Sequence, residues 1–545
     1  MKKTFIIGLL TLAVLAVPGV RAQEDRGFEI AKNLEIFANV YKQLNANYVD
    51  DVDPGKTIKV AIDAMLASMD PYTNYFPESQ MEDVKLQLLG QYGGVGAMIM
   101  QRGDSIYVSE PYKGLPADEA GIKAGDRIVA VDGQSTRGKK TPDVSSAMRG
   151  QAGTEVVLRL ERAGKEFDVT VRRREINLPN VPYYGYVGEQ KDYGYIKLDE
   201  FTADAAKHVR EAFVALKKEQ PAMKGILLDL RGNGGGLMNE AVDIVNIFVP
   251  RGTLVVETKG KVASKNMKSY TRLQPEDTEI PVAVLIDGAS ASASEIVSGS
   301  LQDLDRAVIV GQRSYGKGLV QNILPMAYNS QMKVTVSKYY IPSGRCIQAI
   351  DYSHRDENGR ALKVPDSLKT AFKTKSGRTV YDGFGIEPDI EIEPEYMSNL
   401  AIALVQKLLL FDYATDFYRK HKEIAPAETF EITDEIYNDF CRYLKDKHLS
   451  YNTVTERVIK ELRDVAKQEK YDSAIEQQLK EMEARLATEK ESDLQKHREE
   501  VCEMLKAEIL TRYYYDQGRL QGALKSDKAV LRAVEELSGK GVKGE

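Results

Sequence analysis

The chain has only three cysteines, Cys346, Cys441 and Cys502, in 545 residues. They are too few and too scattered for a disulfide framework, and none has the spacing of a metal-ligand set. Lysine and arginine never form a long run. The net charge of −6 leaves no electrostatic footprint for nucleic acid. Beyond the first 22 residues no apolar run approaches the ~18–20 residues that a membrane-spanning helix needs. No internal repeat or low-complexity tract stands out. Histidine is also scarce: His208, His354, His421, His448 and His497 are the full set, and none lies between Asp229 and Arg345. These absences argue against a disulfide-stapled chain, a cysteine-ligated metal, nucleic-acid binding and a polytopic membrane class.

What is present reads as a multidomain chain of mixed α/β and α+β class. Hydrophobic content of 43% and charged content of 29% suit a soluble globular protein with room for roughly three or four domains. Lys2 and Lys3 precede an apolar run from Phe5 to Val17. Pro18-Gly19 then breaks it, and Val20-Arg21-Ala22 offers small residues at the cleavage positions. Residues 1–22 are therefore expected to be a secretory signal, cut after Ala22. The expected destination is the periplasm, with membrane association if the segment is retained. Residues 23–91 form an expected helical unit: Ile30, Leu34, Phe37, Val40, Tyr41, Leu44 and Tyr48 recur at helical spacing, with further helices at Thr57–Met69 and Glu78–Leu89. Residues 92–175 change to short strands and glycine turns. The strands fall at Val95–Met100, Ile106–Glu110, Arg127–Val131, Glu155–Glu161 and Phe167–Arg173, with short helices at Ala117–Ala120 and Pro142–Arg149. Residues 176–394 alternate strands and helices and predict a layered α/β domain, with an irregular polar excursion at Tyr352–Thr379. Residues 395–545 are charged and helix-rich, either a structural appendage or a docking and dimerisation surface.

Two motifs carry the chemistry. In Ile286-Asp287-Gly288-Ala289-Ser290-Ala291-Ser292-Ala293-Ser294-Glu295, serine and alanine alternate between an apolar strand and an apolar helix. Ser292 to Glu295 fits a capping box, which by itself explains the serine. Capping and catalysis are compatible, because the unpaired N–H groups of a helix start can stabilise an oxyanion. A serine nucleophile needs a base. Lys317, 25 residues further on in Tyr315-Gly316-Lys317-Gly318-Leu319-Val320-Gln321, is a better candidate than any histidine. It must be neutral to accept a proton. Lowering an amine from about 10.4 to about 7–8 costs roughly 3–5 kcal/mol, which burial among Val308, Ile309, Val310, Leu319 and Val320 can supply. Gln321 is placed to hold the amine. A rival reads Gly311–Lys317 as a Walker A loop binding nucleotide. It lacks the magnesium-holding Ser or Thr at Gly318, and a strand rather than a helix is expected to follow. The loop Leu230-Arg231-Gly232-Asn233-Gly234-Gly235-Gly236-Leu237 closes a strand and opens a helix, with glycines that turn N–H groups toward a ligand.

These residues resemble the carboxyl-terminal processing peptidases, or tail-specific proteases, over roughly residues 33–394. The other marks are Asp70-Pro71-Tyr72-Thr73, a PDZ-like block at 92–175, Pro342-Ser343-Gly344-Arg345 and Gly385-Ile386-Glu387-Pro388-Asp389. The resemblance implies a serine endopeptidase core at 176–394. In it Ser292 is the nucleophile, Lys317 the general base, and Gln321 orients the lysine. Gly235 or Gly236, with the N–H of Ala293, would form the oxyanion hole, and Asp303 is implicated as well. Cys346 departs from the family, which has serine there. Gly94-Val95-Gly96-Ala97 resembles the loop that takes a peptide's terminal carboxylate, and Gly121-Ile122-Lys123-Ala124-Gly125-Asp126 resembles the family's following turn. The implied sequence is tail capture, realignment and cleavage near the substrate's C-terminus, with no metal or nucleotide cofactor. Implied partners are protein tails, an adaptor protein and a second copy of the chain joined through the helical termini. The alternatives are a catalytically inactive PDZ scaffold and the nucleotide-binding protein above.

Overall fold

The computed structural model describes residues 18–81, 91–447 and 449–539. The expected signal segment up to Val17, most of the expected third helix (82–90) and His448 lie outside the described residues. The chain forms two packed units, one of residues up to Tyr75 with Ile323–Val334, the other of Phe76–Asn322 with Thr335–Glu545. The smaller carries helices Pro18–Asn47 and Pro54–Ala67. Asp53 caps the second by accepting from the Lys56 N–H, and Pro54 stands where its missing N–H is harmless. No described helix is long and apolar enough to cross a membrane.

In the larger unit, strands Ala97–Arg102, Ser105–Pro111, Arg127–Val131, Glu155–Arg162 and Lys165–Arg172 form one sheet in that order. Period-two burial explains the pattern: Val156, Leu158 and Leu160 are buried between exposed Glu155, Val157 and Arg159. Ala97–Arg102 is the sheet's edge, and helix Thr141–Met148 packs beside it. The strand starts two residues later than expected, because Val95 and Gly96 give their carbonyls to Ala117 and Tyr112.

The next layer is a six-stranded sheet of Tyr183–Val187, Tyr193–Lys197, Gly225–Asp229, Val282–Ile286, Val308–Gly311 and Ile390–Glu391. All but the first pairing are parallel. Gly225–Asp229 and Val282–Ile286 are buried throughout, as strands of a two-sided parallel sheet that are apolar except for the terminal Asp229 should be. Ile226, Leu228, Val284 and Ile286 face helices Ala205–Glu219, Met238–Phe248 and Ala293–Asp303. Leu227, Leu285 and Val310 face the other way, onto Val530 and Ala533 of helix Lys528–Leu537. The last helix of the chain thus closes the second face of this sheet.

Two expectations need correction. The excursion at Tyr352–Thr379 is not irregular: it folds as hairpins Ile350–Arg355/Ala361–Lys363 and Ala371–Lys373/Thr379–Tyr381. Asp356 accepts from Asn358 and Arg360 in the first tight turn, a local polar closure that periodicity does not register. The helical region after residue 395 is not an appendage. Besides its own core of Leu404, Phe440, Leu505 and Ile509, it packs on the first sheet. Arg102 pairs with Asp412 at 2.8 Å, Tyr515 Oη donates to Asp118 at 2.6 Å, and the Asp516 N–H donates to Glu110 at 3.1 Å. Tyr515 interrupts helix Arg498–Ala523 with φ 58°, which brings its ring to that contact.

Glu110 makes this contact pH-dependent. Burial pushes its carboxyl up to about 7, with neighbouring Asp516 adding to the shift, against Arg519 and Arg512. A carboxyl raised from its ordinary 4.5 stabilises the docked state below that value and loses the contribution as pH rises through about 7. Hydrogen exchange at Asp516 and its neighbours, corrected for intrinsic rates, should therefore be faster at about pH 8 than at about pH 5. Glu110→Gln should flatten the difference. Equal protection in the unsubstituted protein at both pH values would contradict the assignment.

Candidate active site

Three loops leave the carboxyl ends of three neighbouring parallel strands. The glycine loop follows Asp229, the serine run follows Ile286, and the lysine loop follows Gly311. Ligand sites in open parallel sheets form at such ends.

The serine run is tied to the glycine loop by its outer serines. Ser290 Oγ donates to the Leu230 carbonyl at 2.8 Å and Ser294 Oγ to the Asn233 carbonyl at 2.9 Å, and both are fully buried. The Ala291 N–H also donates to the Asn233 carbonyl. Ser292, between them, is only partly buried, with φ 57° and ψ −111° at the start of helix Ala293–Asp303. A non-glycine residue held there costs about 1–3 kcal/mol, sustained only because the surroundings fix it. Gly235 shows how tightly: at φ 100°, a Cβ on it would lie 2.8 Å from Ser292 Cβ and 2.7 Å from the Ala291 carbonyl oxygen.

Within the glycine loop, the Gly235 N–H donates to Asn233 Oδ1 at 2.9 Å, and its carbonyl accepts from Phe201. The Asn233 amide donates to the Leu198 carbonyl and holds the loop on the sheet. Among the described residues the N–H groups of Gly236 and Ala293 meet no acceptor. Of the two glycines expected at the oxyanion hole, only Gly236 keeps its N–H available.

The serine and lysine loops are joined by two side chains that sequence reading did not place there. Glu295 Oε2 accepts the Ser292 N–H at 2.7 Å and the Lys317 N–H at 2.9 Å. Its Oε1 accepts the Gly316 N–H at 2.7 Å and the Ser314 hydroxyl at 2.6 Å. Burial pushes the Glu295 carboxyl up, while these four donors pull it back down. Tyr339 Oη shares its one proton between the Lys317 carbonyl at 2.6 Å and the Ser292 carbonyl at 3.1 Å. The backbones of Ser292 and Lys317 are thus bridged on both their N–H and C=O sides. Gly316, at φ 87°, passes so close to Ala349 that an added Cβ would lie 2.4 Å from its Cβ. The S-x-x-E spacing did put a carboxylate at the Ser292 N–H. Nothing local marks Tyr339.

Gln321 lies on strand Leu319–Pro325 and donates to Thr335 Oγ1 at 3.2 Å. Asp303 ends the serine helix, roughly 16 Å from Ser292 at 1.5 Å per residue. There it binds Arg345 at 2.9 Å and the Ser343 N–H at 2.9 Å, so it anchors the Pro342–Arg345 turn and not the reacting atoms. Burial pushes the Cys346 thiol up, which disfavours a reactive thiolate. His208 pairs with Asn180, His354 with Asp351, and His421 stacks on Phe417, so none of these rings is engaged with Ser292. The Walker A reading fails on geometry. A strand, not a helix, follows Lys317, and the N–H groups of Gly316 and Lys317 already serve a carboxylate.

Before the first sheet, Gly94 pairs with Arg174 in a separate two-stranded ribbon, Val95 is buried, Gly96 takes φ 73°, and Ala97 opens the edge strand. The Gly121–Asp126 turn is closed by Asp126, which accepts from the Lys123 N–H and from Arg162.

Residues 192–357 match the description Peptidase family S41, residues 107–162 a PDZ domain, and residues 400–537 the C-terminal helical domain of a probable PDZ-protease. The carboxy-terminal-processing protease of Bartonella bacilliformis is 35% identical over 350 residues, 64% of this chain and 80% of that protein. A probable CtpA-like serine protease of Staphylococcus aureus is 32% identical over 442 residues, 78% of this chain and 84% of that protein. Among solved structures, a photosystem II D1 C-terminal processing protease is 26% identical with a TM-score of 0.36, covering 66% of this chain and 93% of that one. The chain belongs to the carboxy-terminal-processing protease family, the PDZ-bearing serine endopeptidases of family S41.

Proposed function

We propose that the protein is exported, captures the C-terminal tails of other proteins on its PDZ domain, and cleaves near those tails with a Ser292–Lys317 dyad. The observation that carries this is the double bridge by Glu295 and Tyr339, which fixes the one strained, partly exposed serine of the run to the lysine loop. The neutral Lys317 amine takes the proton of Ser292 Oγ as that oxygen attacks the scissile carbonyl. The oxyanion falls between the N–H groups of Gly236 and Ala293. The intermediate collapses, the C–N bond breaks, and the Lys317 ammonium gives its proton to the leaving amine. Water, deprotonated by the same amine, then hydrolyses the ester and frees Ser292. Gln321 orients the lysine.

For the tail, the open edge of Ala97–Arg102 beside helix Thr141–Met148 accepts an added strand. Its terminal carboxylate meets the backbone of Gly94–Ala97. Lys2, Lys3 and the apolar run before Ala22 support export to the periplasm. Phe28, Leu34, Val40 and Leu44, exposed along helix Pro18–Asn47, are the surface a second copy would cover.

One preparation tests the reading. Wild type and Ser292→Ala should both appear in the periplasmic fraction and sediment as dimers. Only wild type should cut a disordered protein with a free apolar tail. Cleavage by Ser292→Ala at the wild-type rate would sink the dyad, a cytoplasmic location the export, and a monomer the pairing.

A further inference from the structure

Arg231, the first residue of the glycine loop, sits between two carboxylates. Its Nε donates to Asp229 Oδ1 at 3.0 Å and its Nη2 to Asp229 Oδ2 at 2.5 Å. The same guanidinium reaches across 296 positions of sequence to Asp527, Nη1 to Oδ1 at 3.1 Å and Nη2 to Oδ2 at 2.8 Å. The Arg231 backbone is held as well, its N–H on Asp229 Oδ1 and its carbonyl under Lys197 Nζ. The following N–H, of Gly232, donates to Asp287 at the head of the serine run. Asp527 in turn is the N-cap of helix Lys528–Leu537, accepting from Ala529 and Val530, and Val530 is buried against the sheet. A short path of fixed groups, joined by the Arg231–Asp527 ion pair, therefore runs from helix Lys528–Leu537 to the glycines beside Ser292. Asp229 is fully buried. Burial alone would push its carboxyl up, but Arg231 and Lys197 hold it below its ordinary value, so the carboxylate stays charged and paired.

We propose that Asp527 is a positioning residue for the glycine loop: through Arg231 it sets the backbone that presents the Gly236 N–H, so the C-terminal helix is needed for turnover as well as for folding. This rests on the assignment of Gly236 and Ala293 to the oxyanion. Two partners, not one, fix the plane of the guanidinium. With Asp229 alone, two residues away on the same strand end, Arg231 can swing with its own loop. Asp527 ties it to a separate, rigid element docked on the sheet. A bidentate Arg–carboxylate pair is the interaction best suited to fix orientation.

Asp527→Asn separates the two roles, because asparagine caps a helix as well as aspartate does but carries no charge. Asp527→Ser, also a good cap, repeats the test. Steady-state kinetics on a tailed substrate, with sites counted by the end point of a serine-reactive fluorophosphonate, should show kcat lowered about ten-fold with KM within about two-fold. The melting temperature should move by only a few degrees. Val530→Ala, which loosens the same helix without touching Arg231, should lower the melting temperature and leave kcat per counted site unchanged. If kcat per site is unchanged in both Asp527 variants, the inference is overturned. If Ser292→Ala cleaves like wild type, the oxyanion assignment beneath it has failed instead.

Discussion

Lys317→Arg should fold as wild type does and lose at least about a thousand-fold in kcat/KM. The two consequences separate because the lysine's backbone and side chain do different work. Its N–H is held by Glu295 and its carbonyl by Tyr339, neither of which involves the side chain, so the loop keeps its place in the variant. The neighbouring Gly318 N–H donates to Gln348, a further anchor that the substitution leaves alone. What changes is the proton chemistry: a guanidinium stays protonated at every pH the fold survives, so it has no lone pair for the Ser292 proton. Raising the pH should not rescue the variant. Arginine is the informative substitution because it keeps the positive charge. Were Lys317 only an electrostatic support for the oxyanion, the Lys317→Arg variant would retain much of the rate. Cleavage of a disordered tailed substrate, beside a melting curve, decides it. An arginine variant within ten-fold of wild type would refute proton transfer through this side chain.

Local features were legible in the sequence. The apolar runs within Gly225–Asp229 and Val282–Ile286 announce buried strands of a layered α/β domain, and the glycine, serine and lysine motifs fall just beyond strand ends. Alternation alone places a strand at Glu155–Glu161, one residue short of the observed Glu155–Arg162. What could not be read was pairing at long range. Ser290, Ser292 and Ser294 look equivalent in sequence. Only the carbonyls of Leu230 and Asn233, some sixty positions earlier, leave the middle one outside the tether. Tyr339 looks like any tyrosine on a strand, yet it joins the two loops. The charged, alternating pattern after residue 395 reads as solvated helix faces. Its final helix nevertheless covers half of the central sheet, because a few small apolar residues such as Val530 and Ala533 suffice once the facing strands are apolar. Gly235 and Gly236 could not be ranked, since the choice depends on where the Asn233 side chain turns.

Glu295→Gln is the other variant with a large expected effect, and it tests the charge state of the bridge. Four donors meet the carboxylate: the hydroxyl of Ser314 and the N–H groups of Ser292, Gly316 and Lys317. The Ser314 oxygen also accepts the Ile386 N–H at 2.6 Å, which ties this shell to the following segment. Burial pushes the Glu295 carboxyl up and these four donors pull it back down, so the anion depends on keeping all four. Glutamine has the same shape but only one acceptor oxygen. Its NH2 must face either two backbone N–H groups or one N–H and the Ser314 hydroxyl, which can turn to accept, and each buried donor left unpaired costs about 1–3 kcal/mol. The expected loss is roughly 1–6 kcal/mol, set against the 5–15 kcal/mol that typically holds a domain folded. The melting temperature should fall by several degrees. Activity should drop about a hundred-fold or more even where the protein remains folded, because the NH2 repels either the N–H groups of Ser292 and Lys317 or the Gly316 N–H next to Lys317, and either shifts nucleophile against base. Had the native carboxyl been neutral, glutamine would be its near-perfect substitute. A stable and active Glu295→Gln would therefore show that the two loops are not held together by an anion.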